Sequence, residues 1–190
     1  AQAMPRLERA LDRAVRLATD VLDYGKTEEP TPNKVPVVLK TALAAAAEDA
    51  GIAKSGVKLS SNVRPTDRVL ADPDQLHRIL LNLLKNARQA VTAPGHAAPG
   101  KLRVELSAEP GINRLRIIDN GPGVPDRAQE RMFQPFSGSV RPGGTGLGLA
   151  IARELALAHG GDLALVQTGP DGSVFEVVLP GVVEAAGRRK

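Results

Sequence analysis

The chain has 190 residues, 42% of them hydrophobic, with 25 Lys and Arg against 21 Asp and Glu, and it contains no cysteine. The lack of cysteine excludes disulfides, thiolate metal sites and cysteine nucleophiles, and it suits a cytoplasmic location. No apolar run approaches the roughly 20 residues of a membrane-spanning helix, no signal peptide begins the chain, and the scattered basic residues lack the aromatic platform of a nucleic-acid site.

The first predicted element is a helix over residues 4–24, whose apolar residues recur at alternating steps of three and four. This narrow stripe is typical of a helix that pairs with another helix, which makes a homodimer through residues 4–24 plausible. An amphipathic helix packed on its own domain is the alternative. Gly25 and the prolines up to Pro36 then predict a helix end and a linker. The stripe consists of Met4, Leu7, Leu11, Ala14, Ala18 and Val21.

After the linker, helices and strands alternate without regular β-α-β units. The fold class predicted is α+β: a two-layer α/β sandwich with a mixed sheet and three main helices on one face, preceded by the single long helix. Segments rich in Gly and Pro, at 92–100 and 120–144, predict loops. Helices are expected at 37–50, 72–91 and 145–159, and strands at 57–63, 68–70, 101–108, 114–119, 162–168 and 173–179.

The helix predicted from Asp72 carries the segment NLLKNARQA, in which Asn82, Asn86 and Gln89 share one face beside the apolar one. Asparagine is unfavourable inside a helix, because its side chain competes for backbone hydrogen bonds. Amide oxygens are hard ligands that suit Mg²⁺. Two solvated polar residues at an exposed edge are the alternative, and the helix alone does not decide between them.

Two glycine-rich segments follow. DNGPGVP, residues 119–125, comes directly after an apolar strand, and a buried Asp119 there would accept a hydrogen bond from the exocyclic amine of adenine. A simple turn aspartate is the alternative. GGTGLGL, residues 143–149, precedes a helix whose N-terminus and backbone N–H groups suit phosphates. It matches neither a dinucleotide fingerprint nor a P-loop.

Between these segments lies MFQPF, residues 132–136. Phe133 and Phe136 are apolar residues in a Gly- and Pro-rich stretch, which indicates a lid that docks over a ligand. Ordinary loop packing is the alternative.

In order and spacing, these segments resemble those of the histidine kinase ATPase superfamily, the Bergerat fold, over about residues 35–182. The resemblance implies ATP and Mg²⁺ as ligands, with Asn86 on the metal, Asn82 near the phosphates, Asp119 on the adenine amine and residues 144–149 over the triphosphate. Asn82 and Asn86 would be the catalytic residues. The implied ATP-binding set is Asn82, Asn86, Gln89, Asp119, Gly121, Gly123, Val124, Phe133, Phe136, Gly144, Thr145, Gly146, Leu147, Gly148 and Leu149.

The chain departs from the family pattern at two positions. Many relatives carry a Lys, Arg or His where Gln89 stands, and glutamine resembles the nitrogen-sensor branch. That branch has TTK in the lid, where this chain has SGS, so Arg141 is a candidate replacement for the lid lysine.

The stretch ALDRAVRLATDVLDYGKTEEP resembles the end of the second helix of a dimerisation and histidine-phosphotransfer domain. The resemblance thus divides the chain into that helix at 1–26, a linker at 27–36, the catalytic ATP-binding domain at 37–182 and a tail at 183–190. The family's phosphoacceptor histidine precedes an acidic residue, and none of His77, His96 and His159 does so. All three are therefore expected to be structural or solvent-facing, with the acceptor histidine upstream of this chain.

The function implied is that of the catalytic part of a two-component sensor histidine kinase, which works with the upstream histidine domain and a response regulator. A non-catalytic docking module is one alternative, although Asp119, Asn86 and the loop glycines are intact. A gyrase-type ATP hydrolase is another, but its water-activating glutamate would stand at Asn82, and a neutral amide is no general base. The anti-sigma serine kinases fit the first helix and linker poorly.

Overall fold

The computed structural model describes residues 30–96, 98–136 and 146–182. The helix predicted over residues 4–24 and the tail at 183–190 lie outside the described residues. The elements in chain order are β1 Val35–Val38, α1 Leu39–Asp49, a 3₁₀ turn Ala53–Ser55, β2 Lys58–Ser61, β3 Arg68–Ala71, α2 Pro73–Val91, β4 Lys101–Glu109, β5 Ile112–Asp119, α3 Asp126–Gln129, α4 Gly148–Ala158, β6 Asp162–Gly169 and β7 Gly172–Pro180.

Five strands form one mixed sheet in the order β2-β4-β5-β7-β6. The β2–β4 pair is parallel, and the other pairs are antiparallel. β1 and β3 form a separate antiparallel pair, which a bridge between Val69 and Gly181 joins to the end of β7. The predicted mixed sheet is therefore confirmed.

One face of the sheet is apolar and packs on the helices, because buried residues alternate with partly buried or exposed ones along β5, β7 and the first half of β4. α2 packs against both α1 and α4. The opposite face is charged: Glu176 accepts from Arg116 at 2.8 Å and from Arg114 at 3.4 Å. This is the predicted two-layer α+β sandwich. Within the described ranges, no helix combines the length and the apolar character required to cross a bilayer.

The start of α2 is fixed by its capping residue. The Oδ1 atom of Asp72 accepts hydrogen bonds from the N–H groups of Asp74 and Gln75, both at 3.1 Å. These are two of the backbone donors that a helix N-terminus leaves without helical partners. α2 then buries Leu76, Ile79, Leu80 and Leu83, which confirms the apolar face predicted from the 3.6-residue period.

The prediction was wrong for residues 35–38, which were assigned partly to the linker and partly to the first domain helix. They form β1, in which Pro36 lies opposite Leu70 of β3. Proline is tolerated there because an edge strand leaves one row of N–H positions unpaired. Gly146 and Leu147 also differ, since they precede α4 instead of belonging to it. The φ of 75° at Gly146 is incompatible with a right-handed helix.

His159, at the end of α4, joins that helix to the start of α2. Its side chain is completely buried. Nε2 accepts from the N–H of Asp72 at 3.0 Å, and Nδ1 lies 2.7 Å from the carbonyl of Leu155. These partners assign the proton to Nδ1, and they confirm that His159 is structural. The segment before β1 is held near the ends of these two helices. Lys34 donates to the carbonyl of His159 at 2.9 Å, and Gln75 donates to the carbonyl of Pro30 at 2.8 Å.

His159→Phe is expected to lower the free energy of unfolding by about 2 kcal/mol, because it leaves the Asp72 N–H without an acceptor. The measurement is urea unfolding near neutral pH. His77→Phe is the matched control, since the His77 side chain is 30% exposed and the change should stay within about 0.5 kcal/mol. Equal losses in the two variants would contradict the structural role of His159.

Candidate functional site

The asparagine-bearing segment of α2 and the glycine-rich segment that opens α4 meet where α4 begins beside α2. A Cβ atom added to Gly148 would lie 3.2 Å from the Oδ1 atom of Asn82. The side chains of Asn82, Asn86 and Gln89 are all partly exposed, whereas Leu83 and Ala87 between them are buried. The helix therefore presents a polar edge, and the N-terminus of α4 lies against one end of it.

Asp119 ends β5 with its side chain buried, at 4% exposure. One carboxylate oxygen, Oδ1, accepts from the N–H of Gly121 at 2.8 Å. A Cβ on Gly121 would lie 2.8 Å from the Cβ of Ala90, so this glycine permits the loop to contact α2 one helical turn beyond Asn86. The Asp119 loop and the polar edge of α2 are thus neighbours.

Gly123 brings the same loop against the β6–β7 hairpin. It has a φ of 79°, in the left-handed region that favours glycine. A Cβ there would also collide with the carbonyl oxygen of Gly169. Val124 packs partly buried against the core, so the loop is fixed on both sides.

The segment Gly146–Leu149 contains the start of α4. Leu147 is completely buried and Leu149 packs against the core, which anchors the start of the helix. Within the described residues, no side chain caps the first turn of α4, in contrast to α2. Backbone N–H groups and the positive end of the helix dipole are thereby left for an anion. Gly144, Thr145 and Arg141 lie outside the described residues.

The two phenylalanines predicted as lid anchors differ in environment. Phe133 packs against the core, and the guanidinium of Arg153 lies 5.0 Å from the centre of its ring, within the range of a cation–π contact. Phe136 is 55% exposed and has a φ of 56°. In this structure only Phe133 is anchored in the core.

Arg153 is itself held by Asp162, with Nε 3.1 Å from Oδ1. Partial burial raises the pKa of the Asp162 carboxyl, but the hydrogen bonds from Arg153 and Leu163 and the charge of Arg153 outweigh it and hold the pKa below its ordinary value. This pair could not be predicted from the sequence, because its members lie on different elements and look like ordinary surface charges.

Asp162→Asn is expected to reduce stability at neutral pH by less than about 1 kcal/mol, since the pair is half exposed. The folded pKa is depressed, so the contribution is present above the unfolded-state pKa and is lost as pH falls through the folded pKa. The difference in unfolding free energy between wild type and variant should therefore vanish in acid. Urea unfolding between about pH 7 and pH 3 measures it; a difference that grows in acid would contradict the assignment.

No group of three or more His, Cys, Asp or Glu side chains within the described ranges could hold a metal ion. The site instead offers amide oxygens on α2 beside a helix N-terminus. Such a donor set suits a hard cation that takes most of its ligands from phosphates and water.

Comparison with known proteins matches residues 71–182 to the family model described as histidine kinase-, DNA gyrase B-, and HSP90-like ATPase. The "Probable sensor histidine kinase TcrY" of Mycobacterium tuberculosis is 34% identical over 95% of this chain, which spans 38% of the length of that relative. The structure of the mycobacterial sensor histidine kinase MprB is 31% identical, with a TM-score of 0.66 over 80% of this chain and 99% of that one. Full-length ShkA in complex with AMPPNP is 29% identical, with a TM-score of 0.75 over 96% of this chain and 39% of that one.

Proposed function

We propose that this chain is the catalytic, ATP-binding part of a two-component sensor histidine kinase. The chain belongs to the family of histidine kinase-, DNA gyrase B- and HSP90-like ATPases. The observation that carries this proposal is the meeting of three segments: Asn82 lies against Gly148, and Gly121 lies against Ala90. Each segment supplies chemistry suited to one part of ATP. In this proposal residues 1–26 end a dimerisation helix and residues 37–182 form the catalytic domain, to which β1 adds Val35 and Pro36.

In this proposal the buried carboxylate of Asp119 accepts a hydrogen bond from the exocyclic amine of adenine. The uncapped first turn of α4, with residues 144–149, receives the phosphates. Asn86 holds Mg²⁺ through its amide oxygen, and Asn82 lies near the same phosphates. The ion neutralises phosphate charge, which with positioning is most of what phosphoryl transfer requires.

The γ-phosphoryl group is proposed to pass to a histidine on an upstream segment, and from there to a response regulator. His159 is buried with both ring nitrogens engaged, and His77 pairs with Asp49 at 3.0 Å, so neither is placed as an acceptor. Because ATP is a cytoplasmic substrate, we place the domain in the cytoplasm. A homodimer through residues 4–24 is part of the same proposal.

A mixing experiment tests this function. The chain is incubated with γ-labelled Mg-ATP and a separate fragment that carries the upstream histidine. We expect acid-labile phosphate on that fragment and none on the chain itself. Replacing the upstream histidine with glutamine is the control. ATP binding without transfer would favour a non-catalytic module, and steady ATP hydrolysis lost in Asn82→Ala would favour a hydrolase.

A further inference from the structure

The β6 strand contains an irregularity that changes which side chain faces the helices. Leu165 pairs with Phe175, but the next pair along is Gln167 with Val174, so Val166 is an extra residue. In a regular strand the residue opposite Ser173 would be Gln167, and with the bulge it is Thr168. A β-bulge re-aims side chains in this way. Val166 and Gln167 are both exposed, whereas Thr168 is partly buried.

The re-aimed Thr168 completes a polar row across three strands at one end of the sheet. Asp119 of β5 lies opposite Ser173 of β7, which in turn lies opposite Thr168. Asp119 and Ser173 are buried, at 4% and 3% exposure, and the two hydroxyl oxygens of Thr168 and Ser173 lie 3.2 Å apart. The row thus includes the carboxylate of Asp119, to which the proposed function assigns adenine.

The hydroxyl of Thr168 also holds the loop that follows Asp119. Oγ1 accepts from the N–H of Val124 at 2.7 Å, between residues 44 positions apart in the chain. The loop is therefore fixed at its start by β5 and at its end by Thr168. A partly buried N–H that loses its acceptor is costly, so removing this oxygen would release the loop from β6.

We propose that Thr168 is a positioning residue for adenine binding, which uses its hydroxyl to hold the Asp119–Val124 loop in the conformation that receives the base. This rests on the proposed function and adds to it a residue outside the three motifs. Holding the loop in advance spares the ligand the cost of ordering it. The hydroxyl does not touch the nucleotide in this role.

The test compares Thr168→Val with Thr168→Ser by calorimetric binding of Mg-ATP, ADP and inorganic tripolyphosphate. Valine keeps the shape and removes the oxygen, so the dissociation constants for ATP and ADP should both rise about 10-fold. Serine keeps the oxygen and should restore them to within about 3-fold of wild type. Tripolyphosphate has no base, so its affinity should not change. Amide exchange at Val124 should accelerate in the valine variant alone.

Thr41→Val, at an exposed position of α1, is the matched control and should bind ATP as wild type does. If Thr168→Val does not fold, Thr168→Cys replaces it, because a thiol is only a weak acceptor. Wild-type affinity in the valine variant, or an equal loss for tripolyphosphate, would overturn the role of Thr168. Wild-type protein that binds tripolyphosphate but not ATP would instead overturn the proposed function.

Discussion

Replacing Asp119 with asparagine should leave the fold intact and weaken ATP binding about 100-fold, which is about 2.7 kcal/mol. Asparagine retains one oxygen, which can still accept from the Gly121 N–H. The other oxygen is replaced by an NH₂ group, which is a donor and cannot accept a hydrogen bond from the amine of adenine. The measurement is calorimetric titration with Mg-ATP, together with thermal unfolding of the free protein.

Asp126→Asn is the matched control for this prediction. Asp126 follows the same loop and is exposed, and its carboxylate pairs only locally with Gln129 among the described contacts. The change in net charge is identical, so a general electrostatic effect would appear in both variants. If Asp119→Asn bound ATP as tightly as wild type, Asp119 would not contact the base.

Gly172→Ala should lower the free energy of unfolding by about 3 kcal/mol or more, through steric overlap and backbone strain together. Gly172 has a φ of 136°, where residues other than glycine are strained. A Cβ there would also collide with the carbonyl oxygen of Asp119. Because the collision displaces the residue assigned to adenine, ATP affinity should fall as well.

The hairpin between β4 and β5 supplies a control for Gly172. Gly111 also has a positive φ, of 80°, but no atom lies within 4 Å of an added Cβ. Gly111→Ala should therefore cost only the conformational term, about 1–2 kcal/mol. Urea unfolding of both variants gives the comparison. Equal losses would show that the contact between Gly172 and Asp119 is not tight.

Local patterns were sufficient to predict most elements of the fold. The apolar face of α2 depends on residues three and four positions apart, and the strands of the β4–β5 and β6–β7 hairpins follow one another across short turns. β1 was not predicted, because its pairing with β3 is a tertiary contact that the local sequence does not reveal. The prolines in and around it favoured a linker instead. The burial of His159 also depends on a distant partner, Asp72.

In the candidate site, the residues proposed to contact ATP could be predicted from the sequence, whereas the residues that support them could not. The side chains proposed to meet ATP stand in three recognisable segments, and the structure brings Asn82, Gly148 and the Asp119 loop together. The residues that support them do not stand out. Thr168 looks like an ordinary strand residue, because its orientation depends on a bulge relative to β7. Arg153 looks like a surface charge, because Phe133 and Asp162 approach it only in the folded chain.

The strand order has a consequence for when the site forms. The β4–β5 and β6–β7 hairpins close over short turns, whereas β5 meets β7 only after the whole stretch from residue 120 to 171 is looped out. Strands that are distant in sequence lose more chain entropy on pairing before their contacts stabilise the sheet. We therefore expect the hairpins to form before they join. The loop between Asp119 and Val124 acquires its contacts with Gly169 and Gly172 only at that joining step, so competence to bind nucleotide should appear last during folding.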